Sequence, residues 1–182
     1  MRPIQGYNDI KASGEFERLA PGGYVIKITD VKDEAADDKQ YLKITYDIAE
    51  GPEAGRFKDT DEEHIFSHQF IRSYKEKALG MFKAFTQAVD ESNGTKFTDQ
   101  VETGFNEQQL VGRILGVVLA EEEYENNRGE VKTGLKVRNC MSADRIRKGD
   151  FKVPELKKLK QKAAPNAIPE GFTALTDDDL PF

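Results

Sequence analysis

Tryptophan is absent, cysteine occurs once and histidine twice in a chain of 182 residues. The lone thiol, Cys140, excludes an intramolecular disulfide and a thiolate metal cluster. An intracellular, reducing compartment is therefore the default expectation. Long apolar runs are missing as well, and nothing approaches the roughly 20 residues a bilayer-spanning helix needs. The opening stretch MRPIQGYNDIKASGEF lacks the apolar region of a secretory signal. A phosphate-cradling glycine loop is also missing, because GGYVIK has neither the spacing nor the following helix. With 37% hydrophobic and 33% charged residues, the chain supports one core-forming domain with appendages, or at most two very small domains, under a heavily charged surface.

The charge that is present is unevenly placed. The net of −6 argues against a protein that coats nucleic acid by bulk charge alone. Yet residues 131–162 carry eleven bases against three acids, a net of +8, while residues 30–63 carry twelve acids against five bases, a net of −7. Residues 170–182 hold four acids (Glu170, Asp177, Asp178, Asp179) and no base. The chain thus has a basic segment, an acidic edge and a separate acidic tip.

Periodicity places the elements. After the breaker APGG, YVIKITDV alternates, with Ile26 and Ile28 on one face and Lys27 and Thr29 on the other. Following an acidic turn, YLKITYDI alternates more cleanly: Leu42, Ile44, Tyr46 and Ile48 oppose Tyr41, Lys43, Thr45 and Asp47. HIFSHQFIR reads as a third strand. The period then becomes helical in SYKEKALGMFKAFTQAVDES, through Ala78, Met81, Phe82, Phe85 and Val89, with Ser73 and Glu76 as a capping box and Asn93-Gly94 as the stop. A short helix is expected in NEQQLVG, a buried fourth strand in RILGVVLAEEEYE, a turn at NNRG, and a fifth strand in EVKTGLKVRNCMS with Leu135 and Val137 facing in. The order β-β-β-α-β-β is that of the OB-fold, a five-stranded Greek-key barrel, and is shared by other five-stranded α+β arrangements. The expected layout is a mainly β body over residues 23–150, preceded by an extension (1–22). A basic, proline-containing tether (151–171) and an acidic tip (172–182) follow it, together forming a flexible tail.

On this layout the outward strand positions carry Lys27, Tyr41, Lys43, Lys136 and Arg138, and the third strand adds Phe66, Phe70 and Arg72 with Tyr74 just beyond. Cations that track phosphates, interleaved with aromatics on which bases stack, are what a sequence-tolerant single-strand binder requires. Each residue singly has an ordinary alternative, a solvated lysine or a core aromatic; the set is more specific than its members.

Two alternatives use other residues. His64 and His68 lie four apart near Glu62 and Glu63, a spacing that would bind a metal on a helix but separates the imidazoles on a strand. A metal-dependent nuclease built on them and on KDTDEEH is the least favoured reading, and no metal, cofactor or catalytic residue is assigned. Cys140 reads as a small hydrophobe.

The chain closes on DDDLPF. As a bland reading, an acidic end only solubilises. Its apolar last residues suit more: Phe182 offers a ring beside an α-carboxylate to a basic-rimmed pocket, and the aspartates steer it there. This end closely resembles the acidic tip of bacterial single-stranded DNA-binding (SSB) proteins. By that resemblance Asp177, Asp178, Asp179, Leu180, Pro181 and Phe182 would recruit replication, recombination and repair enzymes. The body departs from that family, having no tryptophan for stacking and no long Gly/Gln-rich linker. GGYVIKITDV, YLKITYDIAEG, SYKEKALGMFKAFTQAV and IRKGDFKVPELKK instead resemble an uncharacterised family encoded by phages and prophages of Gram-positive bacteria, over most of residues 15–160. Its members are regarded as phage SSB proteins or recombination accessories. What the resemblance implies is a non-enzymatic, sequence-independent single-stranded DNA-binding protein in the bacterial host cytoplasm. It would have no membrane partner, with a homo-oligomer left open. The competing expectation is an adaptor that docks through the tip without coating DNA.

Overall fold

The computed structural model describes residues 19–35, 39–58 and 68–159, together with Pro3. Five strands form one antiparallel sheet in the order β3-β2-β1-β4-β5: β1 (Gly22–Glu34), β2 (Tyr41–Ile48), β3 (Gln69–Ser73), β4 (Ile114–Glu125) and β5 (Val131–Met141). Helix α1 (Leu79–Asn93) lies between β3 and β4, followed by the short α2 (Phe97–Gln100) and a 3-10 turn at Glu107–Leu110. Helix α3 (Ala143–Arg147) follows β5. The protein is thus mainly β with a few helices. No helix among the described residues is long and apolar enough to cross a membrane.

The alternation in the sequence is what the sheet uses, with two interruptions. Ile26 and Ile28 face the core, but the register with β2 shifts between Ile28 and Asp30, so Thr29 bulges out and Val31 turns inward again. A second shift lies opposite Val118 and Leu119, where Arg138 is the extra residue between Val137 and Asn139. Inner positions of all strands except the short β3 supply several apolar side chains each: Ile26, Ile28 and Val31 from β1, Leu42, Ile44, Tyr46 and Ile48 from β2, Leu115, Val117 and Leu119 from β4, with Leu135, Val137 and Cys140 of β5 at the margin. Phe82, Phe85 and Val89 of α1 pack onto them. Because α1 touches β3, β4 and β5, it bridges both edges of the sheet. The edges also meet directly, as Arg72 Nη2 of β3 donates to Cys140 Sγ of β5 at 3.0 Å. No backbone ladder joins β3 to β5 among the described residues, so the curled sheet is open along that seam.

The start of α1 differs from the sequence expectation. Ser73 is the last residue of β3, paired with Tyr41, and Glu76 begins a 3-10 turn ahead of the helix. The Ser73 hydroxyl donates to the Gln40 carbonyl and accepts from Lys75 N–H, so strand pairing takes the residue that the capping box would have used. Met81, 56% exposed, lies off the buried face. The stop holds: Gly94 adopts φ 65°, the left-handed conformation glycine accepts most readily. Asn93 then ties the helix end to β4, donating to the Ile114 carbonyl (2.8 Å) and accepting from Ile114 N–H (3.1 Å).

Asp90 organises the turn into α2, accepting from the Phe97 and Thr98 amides and the Thr95 hydroxyl. Burial raises its pKa, but the bonds from Thr98, Thr95 and Phe97 outweigh that and hold it below the usual value. Asp90→Ala is expected to cost about 2 kcal/mol in chemical denaturation. Since the folded pKa is depressed, the contribution is complete above the ordinary carboxylate value of about 3.9 and is lost as the pH falls through the folded value. The stability difference between Asp90→Ala and wild type should therefore shrink in strong acid.

The opposite face of β1 and β4 has its own cover. Val25 and Val118 are buried there beneath α3 and the chain that follows. A side chain at Gly116 would meet the Ile146 side chain and the Ser142 carbonyl oxygen, the latter at 2.8 Å; one at Gly23 would meet the Phe151 ring. Glycine at these two positions lets this second layer approach the sheet. Residues 151–159, expected to lie in the tether, touch the sheet at Phe151, against Gly23 of β1, and at Lys157 and Leu159, against β4. Lys157 N–H donates to the Glu121 carbonyl and Glu123 N–H to the Lys157 carbonyl, a short parallel bridge.

Candidate nucleic-acid interface

The open seam carries a cleft of about 490 Å³. One wall is β2 and β3 (Tyr41, Lys43, Gln69, Phe70, Ile71, Arg72); the other is β4 and β5 (Glu122, Lys136, Val137, Arg138). Tyr41 and Lys43 occupy the outer face of β2, opposite Ser73 and Ile71 of β3. Lys136, paired with Ala120, is on the outer face of β5, and the bulge carries Arg138 to the same side, where its guanidinium meets Glu122 at 3.2 Å. Lys157 brings a further ammonium to Glu122, 2.6 Å away. The Lys157 hydrogen bond holds the Glu122 carboxyl below its usual pKa against the opposing effect of burial, helped by the charges of Lys157, Arg138 and Lys136. Lys136, Arg138 and Lys157 thus surround one carboxylate, and Lys43 and Arg72 stand on the facing wall.

Six of the nine residues singled out in the sequence therefore line one cleft: Tyr41, Lys43, Phe70, Arg72, Lys136 and Arg138. Two of them are oriented differently from the expectation. Phe70, 7% exposed, pairs with Ile44 on the inner face and packs against Tyr46 and Phe85, so it is a core residue at the cleft floor rather than a stacking platform. Arg72 pairs with Leu42, also inward, and is 5% exposed. The reason is register: Gln69, Ile71 and Ser73 take the outer positions, which places Phe70 and Arg72 inside. Tyr74 is elsewhere, its ring edge-on to Phe82 and its hydroxyl donating to Asp33 at 2.8 Å. Burial, with the Asp33 bond and charge, pushes its pKa up to about 12. Lys27 is exposed on the outer face of β1 opposite Asp47 and does not line the cleft. Phe66 lies outside the described residues, as do His64, Glu62, Glu63 and Asp177 to Phe182.

His68 is packed into the protein: its ring stacks on Phe57 (4.7 Å between centroids) and faces the edge of Tyr46. Burial lowers its pKa against the raising effect of Asp47.

Sequence reasoning missed Lys157 and Gln69 at the cleft, and Tyr124, which lies on the same strand face as Glu122 but does not line the cleft. Lys157 reaches the cleft rim only because Lys157 and Leu159 dock on β4. Gln69 carries no signal in the sequence beyond its place in the third strand. Tyr124, exposed at the outer face of the β4–β5 arm, lies over Gly134, whose added Cβ would meet the ring at 3.1 Å. Its signal was available: Val118, Ala120, Glu122 and Tyr124 share one parity on β4.

The fold and site define a mainly β protein with an open antiparallel sheet and a basic cleft at its seam. The chain belongs to the family described as Protein of unknown function (DUF669), whose model matches residues 6–145. No curated protein matches it.

Proposed function

We propose that this protein binds single-stranded DNA without sequence preference, holding the strand in the cleft between β2–β3 and β4–β5. The observation that carries the reading is the gathering of Lys43, Arg72, Lys136 and Arg138, with Tyr41, from segments up to about a hundred residues apart, into one cleft whose lining holds a single carboxylate, Glu122. Cations at this density follow a phosphate backbone, and the exposed face of a tyrosine supports any base. The body is read as an OB-fold with an open seam: the strand order and the helix between β3 and β4 support this. The role is non-enzymatic, protecting single strands during phage replication or recombination in the host cytoplasm and recruiting enzymes through the tip at Asp177–Phe182.

Anisotropy of labelled oligo-dT and of a matching duplex, titrated at low and high salt, tests the reading. Tight single-strand binding, weak duplex binding and a steep salt dependence are expected. Tyr41→Ala should weaken binding by about 1–3 kcal/mol, the contribution of one stacked base. Absence of single-strand binding at low salt overturns the reading and leaves the tip-docking adaptor.

A further inference from the structure

Just two buried side-chain polar atoms among the described residues have no hydrogen-bond partner, Arg72 Nε and Gln69 Oε1, and both residues line the seam cleft. Buried polar groups are almost always satisfied, so two orphans in one concavity need a cause. Arg72 makes the case sharper. Its Nη1 donates to the Ile71 carbonyl, its Nη2 to Cys140 Sγ, and its guanidinium carbon lies 4.7 Å from the Phe70 ring centroid. No ion pair engages it among the described residues. Cys140 does not supply the missing charge, since burial holds its thiol above the usual pKa despite the lowering pull of Arg72. A 5%-exposed cation is therefore held by neutral groups, with its Nε–H unused. Gln69 is fixed through Nε2, which donates to Thr45 Oγ1 at 3.0 Å, leaving its acceptor oxygen free.

We propose that the seam between β3 and β5 is a built nucleotide subsite, in which Arg72 takes a phosphate oxygen and Gln69 Oε1 accepts from the edge of the adjoining base. The chemistry fits both orphans at once. A guanidinium donates in a fork that matches phosphate oxygens, and its charge is compensated only when an anion enters. Every DNA base carries an N–H donor on its pairing edge, so one acceptor on Gln69 serves all four without selecting among them. The inference rests on the proposed function for its ligand, a strand of DNA, and on the two orphaned atoms for its place.

The Nε–Hε resonance of Arg72, assigned by its absence in Arg72→Lys, reports the site directly in the intact protein. Titration with oligo-dT should shift it, and inorganic phosphate should shift it less and at higher concentration. In parallel, Arg72→Gln should reduce the magnitude of the slope of log affinity against log salt by about 0.7, one phosphate contact on a single strand. Gln69→Leu should weaken binding about fivefold with the slope intact, the size of one neutral hydrogen bond. Oligo-dT binding that leaves the Arg72 resonance and the salt slope unmoved overturns the subsite while the proposed function stands. If oligo-dT does not bind, the function falls, and phosphate alone decides the site: a saturable Arg72 shift keeps it as a free-phosphate site, and an unmoved resonance removes it. Thermal melts of each variant separate lost binding from lost folding.

Discussion

Lys43→Glu combined with Lys136→Glu is expected to weaken oligo-dT binding on the order of 100-fold near physiological salt, with folding intact. Counterion release sets the size: each phosphate contact on a single strand contributes about 0.7 to the salt exponent, roughly fourfold in affinity at about 0.15 M. Two reversals change the cleft by four charge units. These positions are preferred to Arg138, whose guanidinium also holds Glu122 and whose loss would disturb the wall itself. The two lysines lie on opposite walls of the cleft, so the double variant tests the cleft rather than one strand. Anisotropy across a salt series is the measurement. A double variant binding within threefold of wild type would place the strand somewhere other than the seam.

Gly116→Val is expected to destabilise the fold by about 3 kcal/mol, a cost at the upper end of overpacking. Its first added carbon meets the backbone oxygen of Ser142 at 2.8 Å as well as the Ile146 side chain, and backbone cannot swing aside as a side-chain tip can. The variant forces α3 off β4 and uncovers Val25 and Val118. Gly23→Ala is the informative contrast, because there the obstruction is the Phe151 ring, which can rotate away. Urea denaturation of the two variants should therefore rank them Gly116→Val well below Gly23→Ala. A Gly116→Val variant as stable as wild type would mean that the α3 layer is dispensable.

Strand β2 was legible residue by residue, because its alternation is unbroken and each inner residue is apolar. β1 is legible through Val31, although its alternation breaks at Thr29; beyond Val31 the acidic residues point to a turn, yet pairing with β2 carries the strand on to Glu34. The direction of Phe70 and Arg72 was not readable locally. Phe70 and Ile71 are adjacent and both apolar, so either could face in, and only the pairing of Ile44 with Phe70 decides. That choice forces an arginine inside, against the ordinary preference of charged residues for water. The segment from Ala143 to Leu159 escaped because its anchors are few and far apart: Ile146, Phe151 and the backbone of Lys157. The cations of the cleft were recognisable as a set, whereas the two orphaned atoms of its lining residues are visible only in three dimensions.

The bulge at Arg138 constrains how this chain can change in length. Val137 and Cys140 both pack against the core although they are three residues apart, an odd spacing that an unbroken strand would send to opposite faces. The inserted residue restores the phase and, by the same offset, delivers a guanidinium to the outer rim. Deleting it would slip everything after Val137 by half a pleat, exchanging Cys140 for its neighbour beside Arg72 and removing a rim cation in one event. The arm's turn at Asn126–Gly129 has no such bookkeeping, since residues gained or lost there leave both strands in phase. Length variation should therefore collect at the tip of the arm and be excluded from its base.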